Sequence, residues 1–376
     1  MKHDNYQSGK LFDFSFKDGW KVDGWLFTAL IFLLSFSTMI VFSASGENAE
    51  MMTSHMIRCL LAIVVFVVAS RLNVIFVKQL AAKAFVLTVV LLIAVACFGD
   101  LRMGARRWLD LGLMSFQPSE LAKLTVPMMC ALIVAHMGLA NKLRNILLSV
   151  LVIVLPSFLV LLQPDLGTAI MIAFSGFAVL FFSGLPMRLI GGGFLVGAAA
   201  SPILWYHVLR PYQRERIMTV FNPEADPLGA GYHVAQAKAA IGSGGLDGVG
   251  WLEGTQTHLG FIPEQHTDFI FAVIGEEFGF IGFAMLMVMY LFLMGRVLSI
   301  LLKLDDIYAK SFIGGILSIL FAYIFVNVGM VIGILPVVGV PLPLISYGGT
   351  ATLTMTFSLG LVSAYSIQKM KHDSSG

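Results

Sequence analysis

Between residues 25 and 367 the chain returns ten times to an uninterrupted apolar run, roughly 25–44, 56–71, 80–98, 118–137, 146–162, 166–184, 187–208, 266–294, 309–334 and 347–367. A helix needs about 20 such residues to cross the ~30 Å hydrocarbon core of a bilayer. Lipid-facing strands instead alternate apolar and polar residues. Continuous runs therefore predict helices. Composition agrees: 58% of residues are hydrophobic and only 12% charged, against about 25% charged in a soluble domain. The expectation is an all-α polytopic membrane protein of about ten transmembrane helices. Its parts are an N-terminal tail (1–24), a membrane domain (25–367) and a C-terminal tail (368–376).

The net charge of +2 carries no basic tract suited to nucleic acid, so that partner class is set aside. The distribution of charge says more. With the N-terminus inside, inner segments hold 15 Lys and Arg and outer segments 8, with Lys123 inside a span. Positive residues accumulate on the cytoplasmic side, so both termini are expected there. Arg102, Arg106 and Arg107 break the rule by crowding into one short outer loop. The cysteines Cys59, Cys97 and Cys130 lie in or at the ends of apolar spans and imply no disulfide framework. The polar opening predicts no cleavable signal peptide, and the aromatic "LFDFSFKDGW" (11–20) suits an interfacial anchor or, less readily, a docking segment.

Most connections are short, but residues 209–265 form one long outer loop, and loops of that length are usually functional or disordered. It contains "YHVAQAKAAIG", a candidate short amphipathic helix, and then the glycines of "GSGGLDGVG" (242–250). No strand precedes those glycines and no Gly-Lys-Ser/Thr pattern follows, so a hinge or close-packing role fits better than a nucleotide cradle. Pro127 and Pro156 fall inside spans four and five and predict kinks.

An ionisable group within a span costs on the order of 3 kcal/mol at the centre and is by default a functional hypothesis. In "QPSELAKL" (117–124) Glu120 and Lys123 share one helix face. They read either as a self-neutralising pair or as the wall of a polar cavity. Topology places them near the outer boundary, with Gln117, with Asp165 in "QPDLG", with Trp108 and the arginines of "GARRWLDLG", and with Ser346 in "SYGG". His266 and Asp268 open span eight at the same depth. A relay would string its charges through the bilayer; this cluster stays at one face. Guanidinium groups there suit a phosphate-bearing lipid. Trp108 stacks on a sugar or anchors at the interface. Asp268 is either a helix cap or a general base sharpened by desolvation, with His266 the alternative base. Glu276 and Glu277 lie about 12–13 Å deeper, where structural pairing is an equal reading.

Three stretches carry a resemblance: "FNPEADPLGAGYHVAQAKAAIGSGG", "GWLEGTQTHLGFIPEQHTDFIFAVIGEEFG" and "VNVGMVIGILPVVGVPLPLISYGGTA". With "RRWLDLG" and "FQPSELAK" they closely resemble the SEDS family, the shape, elongation, division and sporulation proteins of bacteria. The likeness covers nearly the whole chain after the N-terminal tail and is stronger to the elongation member than to the division member. It implies a ten-span peptidoglycan glycosyltransferase that polymerises lipid II at the outer face of the bacterial inner membrane. Lipid II flippase is the rival transport reading. The implied partners are a class B penicillin-binding protein and other membrane proteins of the elongation complex. The family's catalytic aspartate maps onto Asp268, its cavity residues onto Glu120 and Lys123, and its loop motif onto Arg107 and Trp108. A divalent cation such as Mg²⁺ or Mn²⁺ would offset pyrophosphate charge, although the sequence shows no ligand set for one.

Overall fold

The structure, a computed structural model, describes residues 22–375 apart from 103–104, 111–114, 138–142, 223–228 and 263. The 11–20 segment and nearly all of the expected N-terminal tail lie outside the described residues. Among the described residues eight helices are long and apolar enough to cross a membrane: α1 (Gly24–Ala44), α2 (Ala49–Ala69), α3 (Val74–Phe98), α4 (Pro118–Met137), α5 (Leu143–Leu162), α7 (Met187–Ile203, continued by a π-helical turn to Val208), α11 (Ile270–Lys303) and α12 (Ile307–Val331). The shorter apolar α6 (Leu166–Phe182) and the closing α13 (Gly349–Ser375) complete the bundle. The expected C-terminal tail is thus largely helix: α13 runs on through residues 368–375.

Hydropathy trimmed several helices that capping lengthens. Asn48 accepts the backbone N–H groups of Glu50 and Met51, both at 3.0 Å, so α2 starts seven residues before its apolar run at 56. Asn73 does the same for Ile75 and starts α3 six residues before 80. Polar residues near the start, 53–55 in α2 and 78–79 in α3, interrupt the apolar run, whereas the Asn N-cap sets the true start.

α4 and α12 are the most enclosed spans, and α4 packs on α3, α5, α6 and α12. α7 lies at the periphery, with no buried residue among those described. At one end of the bundle, Asp23 receives two guanidinium bonds from Arg296, at 3.0 and 2.5 Å, and a third from Ser366 at 2.8 Å. This ties the start of α1 to the ends of α11 and α13.

The opposite end is capped by the α3–α4 and α7–α11 connections. The arginine loop is a small antiparallel sheet of β1 (Asp100–Arg102), β2 (Ala105–Asp110) and β3 (Ser115–Phe116), with Leu101 opposite Arg106 and Leu109 opposite Phe116. The long connection between α7 and α11 folds as α8 (Pro211–Phe221), α9 (Ala230–Gly244) and α10 (Thr255–His258). It does not stand clear of the bundle. Gln265 donates to the carbonyl of Ala44 at the end of α1, and Trp251 to that of Met39, one turn deeper.

The glycines after α9 explain how this connection enters the bundle. α11 is broken at Gly279, whose φ of 59° and ψ of −153° belong to no helix. The groups released there are taken up by the loop. Val249 and Gly250 donate to the carbonyls of Glu276 and Glu277 at 3.0 and 3.1 Å, while Phe280 and Ile281 donate to those of Gly245 and Leu246. Gly248, at φ 84°, passes so close that a Cβ would overlap the Glu277 carbonyl, and a Cβ at Gly279 would overlap the Gly248 nitrogen. Broken helices survive at membrane depth only where protein satisfies the freed backbone. The 245–250 segment of "GSGGLDGVG" is that protein. The close-packing reading of these glycines holds.

Candidate functional site

Asp268 does not open a helix; it ends a turn. Glu264 starts that turn in the left-handed region (φ 49°), and its carbonyl accepts from Thr267 and Phe269 before α11 begins at Ile270. Neighbours fix the backbone on both sides. Asn327 of α12 donates to the Asp268 carbonyl at 2.9 Å and to that of Val340 at 2.8 Å. Ser346 donates to the Thr267 carbonyl at 2.6 Å and accepts from Leu342. The backbone is therefore held while the carboxylate, half-buried, accepts no hydrogen bond from any described residue. The cap reading of Asp268 fails on this geometry.

Close packing of protein round that carboxyl pushes it up to about 6. Glu264 and Asp165 push in the same direction, and Arg216 of α8 opposes them. A carboxylate kept partly dry and unpaired is a stronger base than an ordinary aspartate. Arg216 escaped the sequence reading because nothing local marks it; its guanidinium donates to the Val337 carbonyl, which brings it beside the turn.

Asp165, Arg107 and Gln117 form one network at the corner between α5 and α6. Asp165 caps α6 by accepting from Thr168 at 3.1 Å, Gln117 reaches it at 3.5 Å, and the Arg107 Nε lies 3.7 Å away. The Arg107 fork is largely occupied: it donates to the carbonyls of Pro164 at 2.5 Å and Gln163 at 3.4 Å. Tyr212 donates to the same Pro164 carbonyl. Trp108 follows Arg107 on β2, half-buried.

Glu120 and Lys123 are both buried and bonded at 2.6 Å. They are not alone. Lys123 also donates to the Tyr323 hydroxyl, which in turn donates to Glu120 at 3.1 Å. Tyr323 and Asn327 sit four residues apart on α12, hence on one face. One helix stripe thus links the α4 pair to the Asp268 turn. Two polar residues at that spacing inside an apolar run were a readable signal. Beside Tyr323 lies a small cavity of about 10 Å³, lined by Pro341, Leu342, Ser346, Thr352 and Met355 among others. The pair is therefore enclosed by protein and does not face lipid.

His266 sits next to the site, its ring 5.8 Å from that of Tyr347 and its carbonyl accepting from the Tyr347 N–H. Ser346 is committed to holding the backbone. Glu276 is buried and satisfied by the loop, accepting from the N–H groups of Gln256 and Thr257 and from the Thr257 hydroxyl at 2.7, 3.0 and 2.7 Å. Glu277 accepts from Ser43 and lies 3.9 Å from His258. These two carboxylates belong to the loop–helix junction. Among the described residues no three His, Cys, Asp or Glu side chains converge as a metal site.

Comparison with known proteins adds the chemistry. The family model of the FtsW/RodA/SpoVE cell cycle proteins matches residues 21–371. The chain is 45% identical over 348 residues to the peptidoglycan glycosyltransferase MrdB of Escherichia coli, covering 93% of this chain and 94% of that one. A chain from a peptidoglycan synthase complex that coordinates polymerization and crosslinking superposes with a TM-score of 0.81 at 30% identity, over 93% of this chain and 98% of its own. The rod shape determining protein RodA of Thermus thermophilus superposes at 0.72 and 27% identity, over 94% and 99%.

Proposed function

The chain belongs to the FtsW/RodA/SpoVE family and is a membrane-embedded peptidoglycan glycosyltransferase; from that premise we propose that it polymerises lipid II at the outer face of the inner membrane during cell elongation, with Asp268 as general base. The capped end of the bundle is then periplasmic and both termini cytoplasmic. The observation that carries this reading is the Asp268 carboxyl: backbone fixed, side chain unpaired, basicity raised to about 6.

In the step proposed, the 4-hydroxyl of the acceptor N-acetylglucosamine attacks C1 of the donor N-acetylmuramic acid. The hydroxyl proton passes to Asp268, and the C1–oxygen bond to undecaprenyl pyrophosphate breaks. General-base help of this kind is typically worth 10²–10⁴-fold. Arg216 offers positive charge near the leaving group, and Arg107 holds the α5–α6 corner that presents Asp165. Among the described residues no three His, Cys, Asp or Glu side chains converge to hold Mg²⁺ or Mn²⁺; a divalent cation would be carried on the pyrophosphate itself and offset its charge.

The 98% coverage of one chain of a polymerization-and-crosslinking complex supports a class B penicillin-binding protein as partner, within the elongation assembly. Transport is the weaker reading because Glu276 is engaged by the loop and Glu277 by Ser43 of α1, so neither extends a polar path. The test is labelled lipid II supplied only to the capped face of proteoliposomes, with glycan products resolved on a gel. Polymer without transfer of fluorescent lipid II between leaflets is expected. Lipid movement with no glycan would leave the flippase standing.

A further inference from the structure

Arg58 is a cation in the bundle with no acid to answer it among the described residues. It lies well inside α2, half-buried. A charged side chain within a span is costly and calls for a partner. Here the neighbour is an aromatic ring: the guanidinium carbon sits 4.3 Å from the centre of Tyr347. Helical side chains lean toward their own N-terminus, so Arg58 reaches toward the capped end, where α2 starts.

Tyr347 is a fixed platform. Its N–H donates to the His266 carbonyl at 2.8 Å, and its ring lies 5.8 Å from those of both His55 and His266. Ser37 braces the same strap by donating to the Ile345 carbonyl at 2.6 Å while lying 3.0 Å from His55 Nε2. Beside the guanidinium is Gly349; a Cβ there would stand 3.5 Å from Arg58 Cδ and Nε, so the missing side chain leaves that flank open. A guanidinium lying on a ring keeps the donors at its edge free, in the fork geometry that binds phosphate oxygens in pairs.

We infer that Arg58, presented on Tyr347, is a phosphate-binding subsite for a lipid at the capped end, separate from the Arg107–Gln117–Asp165 network. Resting on the function proposed above, that lipid is a second polyprenyl-linked substrate. Joining two such sugars brings two pyrophosphates to one base. The two cationic positions lie on different elements, the α5–α6 corner with α8 on one hand and α2 with the 345–349 strap on the other. The Asp268 turn meets both: Asp268 faces Arg216 and Asp165, and His266, two residues earlier, meets Tyr347. A phospholipid headgroup offers the same phosphate chemistry, and the experiment separates the two sources.

Full-length protein carrying Asp268→Asn, which stops turnover, is placed in nanodiscs of phosphatidylcholine with or without phosphatidylglycerol. Bound undecaprenyl pyrophosphate is then counted and titrated by native mass spectrometry. Two equivalents are expected; adding Arg58→Ala should weaken one of them about 10-fold or more, as loss of a charged hydrogen bond requires, and Arg58→Lys should do so less. An Arg58-dependent loss seen only for phosphatidylglycerol assigns the subsite to a headgroup. Unchanged affinity for both ligands in the folded Arg58→Ala protein overturns the inference. Should that variant lose folded yield, Arg58→Gln, which keeps length and polarity, takes its place. The readout is binding, so a wild-type protein that makes no glycan would sink the polymerase reading and leave this result standing.

Discussion

Replacing Asp268 by Asn should stabilise the protein while removing its activity. The ionised carboxylate is penalised in the folded state: its pKa stands at about 6 against an ordinary 3.8. At 1.36 kcal/mol per pH unit that difference amounts to ~3 kcal/mol. Solvent reaches the half-buried side chain and screens its interactions, so ~1–2 kcal/mol is the usable figure. The sign follows from proton linkage. With the folded pKa above the unfolded one, Asp268 favours the native state below pH 3.8 and loses that contribution as pH rises through about 6. At pH 8 the wild type carries the whole penalty and the Asn variant none. Thermal unfolding in detergent, compared at one scan rate because such transitions are often irreversible, should show the Asn variant melting a few degrees higher at pH 8. The difference should vanish near pH 4. Polymerisation by the wild type should fall as pH drops through about 6, and the variant should lose at least ~100-fold at every pH. An Asn variant that melts at or below the wild type at pH 8 would mean that an unseen partner stabilises the carboxylate, and the argument for a base held ready would fail.

Other perturbations test the frame around it. Glu120→Gln or Lys123→Met alone leaves a buried charge unpaired beside Tyr323 and should cost ~3–5 kcal/mol, read as folded yield. The double variant should recover yield but not activity; normal polymer from it would reduce the pair to self-neutralisation. Glu276→Ala orphans the N–H groups of Gln256 and Thr257 at about 1–3 kcal/mol each; a monodisperse, stable variant on size exclusion would contradict this. Gly279→Ala needs both a left-handed backbone and space held by Gly248, so it should give little folded protein, whereas Gly295→Ala, with open space around it, should fold normally.

The spans were legible because lipid imposes length and continuity on any sequence that crosses it. Their starts were not, since Asn48 and Asn73 start α2 and α3 ahead of residues 53–55 and 78–79, where hydropathy falls. The outer cluster was legible too, because Glu120, Lys123, Asp165 and Asp268 are costly at that depth. What each does within the cluster was hidden. Arg107 looked like a free phosphate fork and instead holds the α5–α6 carbonyls. Ser346 looked like a ligand and is a backbone brace. Arg216 and Tyr323 join the site only through contacts made far along the chain. Depth is a one-dimensional property and can be counted; partnership is three-dimensional and cannot.

The mended break in α11 bears on how the chain is built. At 1.5 Å per residue, the 24 residues from 280 to 303 already measure about 36 Å, enough to cross a bilayer of ~30 Å unaided. Residues 270–278 are surplus to crossing. They are cut off from the rest of the helix at Gly279, and the backbone groups freed there find partners only in the 245–250 segment. Insertion machinery that recognises hydrophobic length can therefore deliver the lower part of this helix as it is synthesised. The upper turns, and with them the position of Asp268 immediately before, are fixed when the loop docks. The placement of Asp268 in this protein is thus a product of folding within the membrane rather than of insertion into it.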